Sequence, residues 1–225
     1  FMLVAVSALV FTLGERKVCA WIQVRIGPNR VGPWGLLQST ADMLKLLTKE
    51  DIIPHGVDRW MWVLSPILIF IPAAMVYALY PFDDGVIFAD VNIGLFLLIA
   101  ISSQSVLPFL MGGYASNSKY AMLGGMRTVA QMLSYEVPMV IALMGIVMIT
   151  GSLKMSAIVE AQSNIWFIFL QPIAFLIFMV TCLVESNRPP FNMVEGESEI
   201  IAGPFTEYTG MRWALVFLAE VANLL

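Results

Sequence analysis

Five glutamates are concentrated in one connecting segment, residues 185–212, between two strongly apolar runs. Glu195 and Glu199 lie four residues apart, so on a helical turn they would share a face, where repulsion between like charges favours protonation of one of them. Such a carboxyl group could take up and release protons near neutral pH, whereas a fully hydrated acidic loop would do no chemistry. The five acids are Glu185, Glu195, Glu197, Glu199 and Glu207, with only Arg188 and Arg212 as basic neighbours.

Two further acids interrupt apolar runs that predict membrane-spanning helices. Glu136 follows Arg127 by nine residues and Glu220 follows Arg212 by eight, which places both acids about 12–14 Å along their helices from a basic end. A charge at that depth costs about 2.5 kcal/mol or more on insertion scales. These side chains should therefore face the bundle interior and exchange protons with water or another acid. The alternative is a protonated acid that hydrogen-bonds across helices only for packing.

Glu15 is a third acid to consider, because it lies near the end of the first apolar run. It is either an intramembrane acid of the same kind or a helix-end carboxylate that pairs with Arg16 or Lys17.

The elements that position these acids must be hydrophobic, because 59% of the 225 residues are hydrophobic and 12% are charged. A mean hydropathy of +0.83 predicts an integral membrane protein. The net charge of −4 provides no basic field for nucleic acid. With isolated Cys19 and Cys182 and the single histidine His55, the chain cannot itself ligate a bis-histidine haem or a four-cysteine iron–sulfur cluster. Any redox centres would belong to partners.

The apolar runs predict an all-α, polytopic transmembrane bundle in one domain, residues 1–225. Pro66 and Pro72 should bend the second span, and the third should break near Pro108 or the pair Gly112 and Gly113. The predicted spans lie at about residues 1–24, 60–82, 91–114, 121–153, 161–184 and from 211 onward, with an acidic loop at 185–211.

Residues 34–49 show a two-faced helical pattern that is too short and too polar to span a membrane. Leu36, Thr40, Met43 and Leu47 form one stripe, and Gln38, Asp42, Lys45 and Lys49 recur on the other face. The pattern predicts an amphipathic helix in the interface plane, although a helix in a soluble core would show the same period.

The basic residues are distributed unequally between the two sides of this predicted bundle. Eleven of the twelve fall on one side and only Lys154 falls on the other. By the positive-inside rule the basic side, which includes the acidic loop, is cytoplasmic, or faces the matrix in a mitochondrion.

Several sequence blocks between residues 15 and 223 resemble one family of membrane subunits of proton-translocating NADH-quinone oxidoreductase (respiratory complex I), the H subunit of bacteria and its mitochondrial counterpart, NADH dehydrogenase subunit 1. The family's chains have about eight transmembrane helices, so this chain is expected to be a fragment of a longer one. Asn192 stands where the family commonly has aspartate. The blocks are ERKVCAWIQVRIGPNRVGPWGLLQ, ADMLKLLTKED, SNSKYAMLGGMRTVAQMLSYEVP, RPPFNMVEGESEIIAG and TEYTGMRWALVFLAEVAN.

The resemblance implies roles for particular residues. One set would lie near the mouth of a chamber through which quinone enters from the bilayer: Arg16, Arg25, Arg30, Trp34, Asp42, Phe205 and Met211. A second set would relay protons or couple them to the redox reaction: Glu15, Glu136, Glu185, Glu195, Glu197, Glu199, Glu207 and Glu220.

The resemblance also implies the molecular setting. Quinone would be the substrate, this chain would bind no metal or cofactor, and FMN and iron–sulfur clusters would reside in partner subunits. The partners would be the peripheral-arm subunits that carry the terminal iron–sulfur cluster and the quinone head-group site, together with small and antiporter-like membrane subunits. The location would be the bacterial plasma membrane, or the mitochondrial inner membrane. The alternatives are the homologous subunit of a membrane-bound hydrogenase or formate hydrogenlyase, and an ion-coupled secondary transporter.

Overall fold

The computed structural model describes residues 2–83, 87–194 and 203–224. Over these residues the chain is helical, without a β-strand, which confirms the all-α prediction. Glu195, Glu197 and Glu199 lie outside the described residues, so the predicted acidic loop is seen only at its two ends. The α-helices are α1 Met2–Ile22, α2 Gln38–Thr48, α3 Arg59–Val76, α4 Gly94–Ser103, α5 Val106–Ala115, α6 Lys119–Thr150, α7 Met155–Ala161, α8 Phe167–Leu170, α9 Pro172–Glu185 and α10 Gly210–Leu224.

Three described segments are long and apolar enough to cross a membrane: Arg59–Val76, Gly94–Ala115 and Lys119–Thr150. Pro172–Glu185 is also apolar but shorter. α3 continues through Pro66 and Pro72 and ends at Val76, earlier than predicted.

The third predicted span is interrupted at Gln104 and Ser105, between α4 and α5 and near Pro108 as predicted, although both residues keep helical torsions. Pro108 explains the position, because a proline ring clashes with the carbonyl four residues earlier, which is that of Gln104. Gly112 does not break α5; it allows close packing, since a Cβ there would lie 2.9 Å from Ser65 Oγ and 3.0 Å from the Phe205 ring.

The fifth predicted span is also discontinuous. α8 ends at Leu170, Gln171 has non-helical torsions, and α9 begins with Pro172. Proline suits a first helical position because its missing N–H would be unpaired there. The side-chain amide of Gln171 donates to the carbonyl of Gly145 on α6 at 3.1 Å, and this bond holds the non-helical residue against α6.

α6 is the longest of the described helices and packs against both α5 and α9, whereas α3 packs against α5 and α10. A buried aromatic cluster fills the space between them: Trp62 stacks on Tyr208 with centroids 3.7 Å apart, and Phe205 contacts both Phe109 and Tyr208. This cluster holds the chain that follows the acidic loop, because Phe205 and Tyr208 lie at residues 203–209.

The amphipathic helix starts later than predicted. Trp34 and Gly35 have φ values of 59° and 75°, so α2 begins only at Gln38. α2 packs against α1 and α10, and Ser39 Oγ donates to the carbonyl of Leu9 at 3.0 Å.

Candidate functional site

Two predicted acids, Glu136 of α6 and Glu185 of α9, line one small cavity inside the helix bundle. Its volume is about 30 Å³, enough for a single water molecule. The remaining lining residues are polar hydroxyl groups and apolar side chains: Ser102, Ser103, Ser105, Val106, Met132, Tyr135, Met139, Thr181 and Val184.

Ser103 is the immediate neighbour of Glu136. Its hydroxyl donates to Glu136 Oε1, and Ser103 Oγ also lies 2.8 Å from the carbonyl oxygen of Ile99. A hydroxyl has one hydrogen but can also accept. Ser103 can therefore donate to an ionised Glu136, or donate to Ile99 and accept from a protonated Glu136. The arrangement accommodates both protonation states of the carboxyl group.

Glu185 contacts the Ser102 hydroxyl and experiences the charge of Glu136. Two carboxylates that face one small cavity are stabilised when they share a proton, because the repulsion between two negative charges is then removed. Sequence patterns did not identify Ser102 and Ser103 as part of this site, although adjacent serines in an otherwise apolar run were the available signal.

A second, larger cavity of about 520 Å³ lies beside the end of α1. Arg188 and Glu15 form an ion pair on its wall, with 2.5 Å between Nη1 and Oε1. The lining residues are Thr12, Glu15, Arg16, Cys19, Arg25, Pro28, Arg188 and Phe217. The cavity therefore combines charged groups with an apolar wall.

The alternative that paired Glu15 with Arg16 or Lys17 is wrong. Arg16 pairs with Asp42 of α2, and Lys17 Nζ donates to the carbonyl of Trp34 at 2.6 Å. Both neighbouring cations are thus engaged with the segment around α2, which leaves the interior partner Arg188 for Glu15.

Asp42 joins α2 to α1 through its carboxylate. Burial by itself would raise the pKa of Asp42, but the hydrogen bond and charge of Arg16, the amide of Gln38 and the charge of Lys45 together hold that pKa below its usual range. Asp42 is therefore ionised at neutral pH.

The other residues predicted at the chamber mouth lie in three different environments. Arg25 lines the larger cavity and donates to Gln23 Oε1 at 2.7 Å. Arg30, Trp34 and Met211 are exposed, whereas Phe205 belongs to the buried aromatic cluster.

Glu207 and Glu220 are the remaining described acids of the predicted relay. Both are partly buried: Glu207 precedes α10, and Glu220 lies within it. The described part of the chain contains no group of three or more residues suited to bind a metal ion.

The fold and these two cavities define an all-helical protein with three candidate membrane-spanning segments and with carboxylates that line internal cavities. Comparison with known proteins identifies the family: the NADH dehydrogenase family model matches residues 1–225, and the chain belongs to this family.

Individual relatives agree with this assignment. Proteins named as the H subunit of NADH-quinone oxidoreductase are 51% identical over 219 residues in Carboxydothermus hydrogenoformans, 50% over 226 in Geobacillus sp. strain WCH70 and 52% over 213 in Geobacillus kaustophilus. These alignments cover 97%, 99% and 94% of this chain but 63%, 68% and 64% of the respective relatives, so the chain spans about two thirds of their length. The resemblance inferred from the sequence blocks is confirmed.

Proposed function

We propose that this chain is a membrane subunit of a proton-translocating NADH:quinone oxidoreductase and couples quinone reduction in a partner subunit to proton movement. The observation that carries the proposal is the pair Glu136 and Glu185, which face one water-sized cavity beside Ser102 and Ser103. Glu136 interrupts an otherwise apolar stretch of α6, and an ionisable side chain inside a membrane helix is costly and commonly functional. The relatives' common name supports the quinone-reducing assignment over the hydrogenase and transporter alternatives.

Quinone would enter through the larger cavity beside α1. A volume of about 520 Å³ falls in the range of small-molecule sites, about 300–1,000 Å³. Arg16 and Arg25 would contact the polar head during passage, and Phe217 would contact the isoprenoid tail. The quinone chemistry itself requires an electron donor, which we assign to an iron–sulfur protein of the peripheral arm.

The two cavities are joined by a short piece of chain. Glu185 lines the small cavity and Arg188, three residues later, lines the large one. A change of charge on the quinone would alter the Glu15–Arg188 pair, and the movement of residues 185–188 would alter the proton affinity of Glu185. Work is coupled only if that affinity differs between the two redox states. Glu136 and Glu220 would then pass the proton toward antiporter-like membrane subunits.

The expected partner cofactors, the position of α2 and the membrane location follow from this role. FMN and iron–sulfur clusters would reside in partner subunits, α2 would lie at the membrane interface, and the complex would occupy the bacterial plasma membrane or the mitochondrial inner membrane. The acidic loop would face the peripheral arm.

Purification of the full-length chain from its own membranes tests the proposal. We expect iron–sulfur proteins to co-purify and the preparation to reduce quinone with NADH, with inhibition by rotenone- or piericidin-type compounds. Hydrogen evolution without quinone reduction would instead indicate the hydrogenase alternative, and purification as a single chain would indicate a transporter.

A further inference from the structure

The start of α10 is fastened to the chain that follows α2. Arg212 Nη2 lies 3.0 Å from Asp51 Oδ2. Beside this ion pair, the backbone N–H of Ile52 donates to Thr209 Oγ1 at 3.1 Å, although the two residues are 157 positions apart. A side-chain ion pair and a backbone hydrogen bond thus join the same two segments.

Gly210 makes the third contact of this junction. Its φ of +59° is a left-handed conformation that favours glycine, and a Cβ at this position would lie 3.2 Å from the carbonyl oxygen of Lys49. The backbone at the start of α10 therefore packs directly on the end of the α2 segment. The fit holds the two elements in one relative position.

The ion pair is placed better for positioning than for stability. The Asp51 side chain is 41% exposed and that of Arg212 is 19% exposed. A pair whose carboxylate is so exposed contributes little to folding free energy, because water screens it. The planar guanidinium of Arg212 nevertheless fixes the direction of its contact with Asp51, since its N–H groups have a rigid geometry.

The junction lies between the two functional regions. At its other end, α2 is tied to the wall of the larger cavity by the Asp42–Arg16 pair. Along α10, Glu220 follows Arg212 by eight residues, which is about 12 Å. A displacement of α2 when quinone passes would therefore be transmitted to the helix that carries Glu220.

We infer that Asp51, Thr209 and Arg212 are positioning residues that set the place of Glu220 relative to the quinone cavity. The inference rests on the proposed function. None of the three lines the larger cavity, so their loss should affect proton transfer more than quinone binding.

The test uses the assembled complex in native membrane vesicles and compares Asp51→Asn and Arg212→Gln with the charge swap of Asp51→Arg combined with Arg212→Asp. The single substitutions should lower protons translocated per NADH oxidised by about five-fold, the lower end of typical coupling between sites. The KM for a short-chain quinone should not change, and the charge swap should restore translocation. A purely structural role would reduce the amount of complex and leave the ratio of protons to NADH unaltered, which would overturn the inference.

Thr209 provides a second test in which both charges are retained. Thr209→Val removes the acceptor for Ile52 and should lower the same ratio, whereas Thr209→Ser keeps the hydroxyl and should preserve it. Equal ratios in the two variants would contradict the inference even if the charge variants failed to assemble. Wild-type vesicles that neither oxidise NADH with quinone nor translocate protons would overturn the proposed function itself. Active wild-type vesicles with unaltered variants would overturn only the positioning role.

Discussion

Arg188 and Glu15 are 173 residues apart in the chain and form an ion pair of 2.5 Å on the wall of the larger cavity. The pair holds the end of α1 against the turn that follows α9. Because Glu15 is 36% and Arg188 21% exposed at the side chain, solvent screens the interaction only in part.

Replacement of Arg188 should therefore reveal a cost in stability. We expect Arg188→Ala to lower the free energy of unfolding by about 0.2–1 kcal/mol, because the ion pair that it removes is partly screened by solvent. Arg188→Lys should lose less, since the charge remains but the planar donor is lost. Thermal unfolding of the purified complex measures both, and equal melting temperatures for wild type and Arg188→Ala would contradict the expectation.

Glu136→Gln should leave assembly and NADH oxidation largely intact but reduce proton translocation per NADH by about ten-fold or more, because an amide cannot release a proton. Ser103→Ala should have a smaller effect, as it removes only one hydrogen-bond partner. Glu160→Gln is the matched control, since Glu160 is exposed at the end of α7. Unaltered translocation in an assembled Glu136→Gln complex would exclude this residue from the proton path.

Arg25→Ala should raise the KM for a short-chain quinone by about ten-fold, the value of one charge-assisted hydrogen bond. Arg30→Ala is the comparison, because Arg30 was also predicted at the chamber mouth but is not among the residues that line the larger cavity. Steady-state kinetics with NADH as donor measures the difference. A larger effect at Arg30 than at Arg25 would place the mouth elsewhere on this surface.

The Asp42 carboxylate makes a pH-dependent contribution to the attachment of α2. Its pKa is lowered in the folded protein from 3.8, so the stabilisation is fully present above that pH and is lost as the pH falls through the lower, folded value. Asp42→Asn should therefore reduce stability at neutral pH by about 0.2–1 kcal/mol, as for exposed pairs. The difference from wild type should shrink below pH 3.8, as thermal unfolding at several pH values would show.

Gly124 of α6 packs directly on the chain that follows the acidic loop. A Cβ at Gly124 would lie 2.7 Å from Gly203 Cα, a contact with backbone that cannot easily move aside. Gly124→Ala should therefore destabilise the protein by about 1–3 kcal/mol. Gly14→Ala is the control, because a Cβ there would meet nothing within 4 Å, and its thermal stability should equal or exceed that of wild type.

The long apolar helices could be predicted from composition and run length alone, because burial in a membrane requires a continuous apolar stretch. α3 and α6 agree with predicted spans at 60–82 and 121–153 apart from their ends. The interruption at Gln104 agrees with the predicted break near Pro108, whereas the alternative at Gly112 and Gly113 is wrong. In the folded chain they let neighbouring elements approach: a Cβ at Gly113 would lie 2.7 Å from the carbonyl oxygen of Ala121.

Less of the candidate site than of the helices could be predicted from the sequence. The distance along the helix from the basic ends predicted that Glu136 and Glu220 face the bundle interior. It could not predict that Glu136 and Glu185 line one cavity, because helix rotation depends on tertiary packing. The Glu15–Arg188 pair was also missed, since local spacing favoured Arg16 or Lys17. Contacts between residues so distant in sequence leave no periodic signal in a single chain.

The break at Gln171 has a consequence for the lipid around this protein. α9 contains 14 residues and is about 21 Å long, whereas the hydrocarbon layer is about 30 Å thick. Lipids beside α9 must therefore thin, or the helix must be shielded by neighbouring protein, to avoid hydrophobic mismatch. Thinned lipid would shorten the apolar path beside Glu185, whereas covering protein would keep lipid away from that carboxyl group.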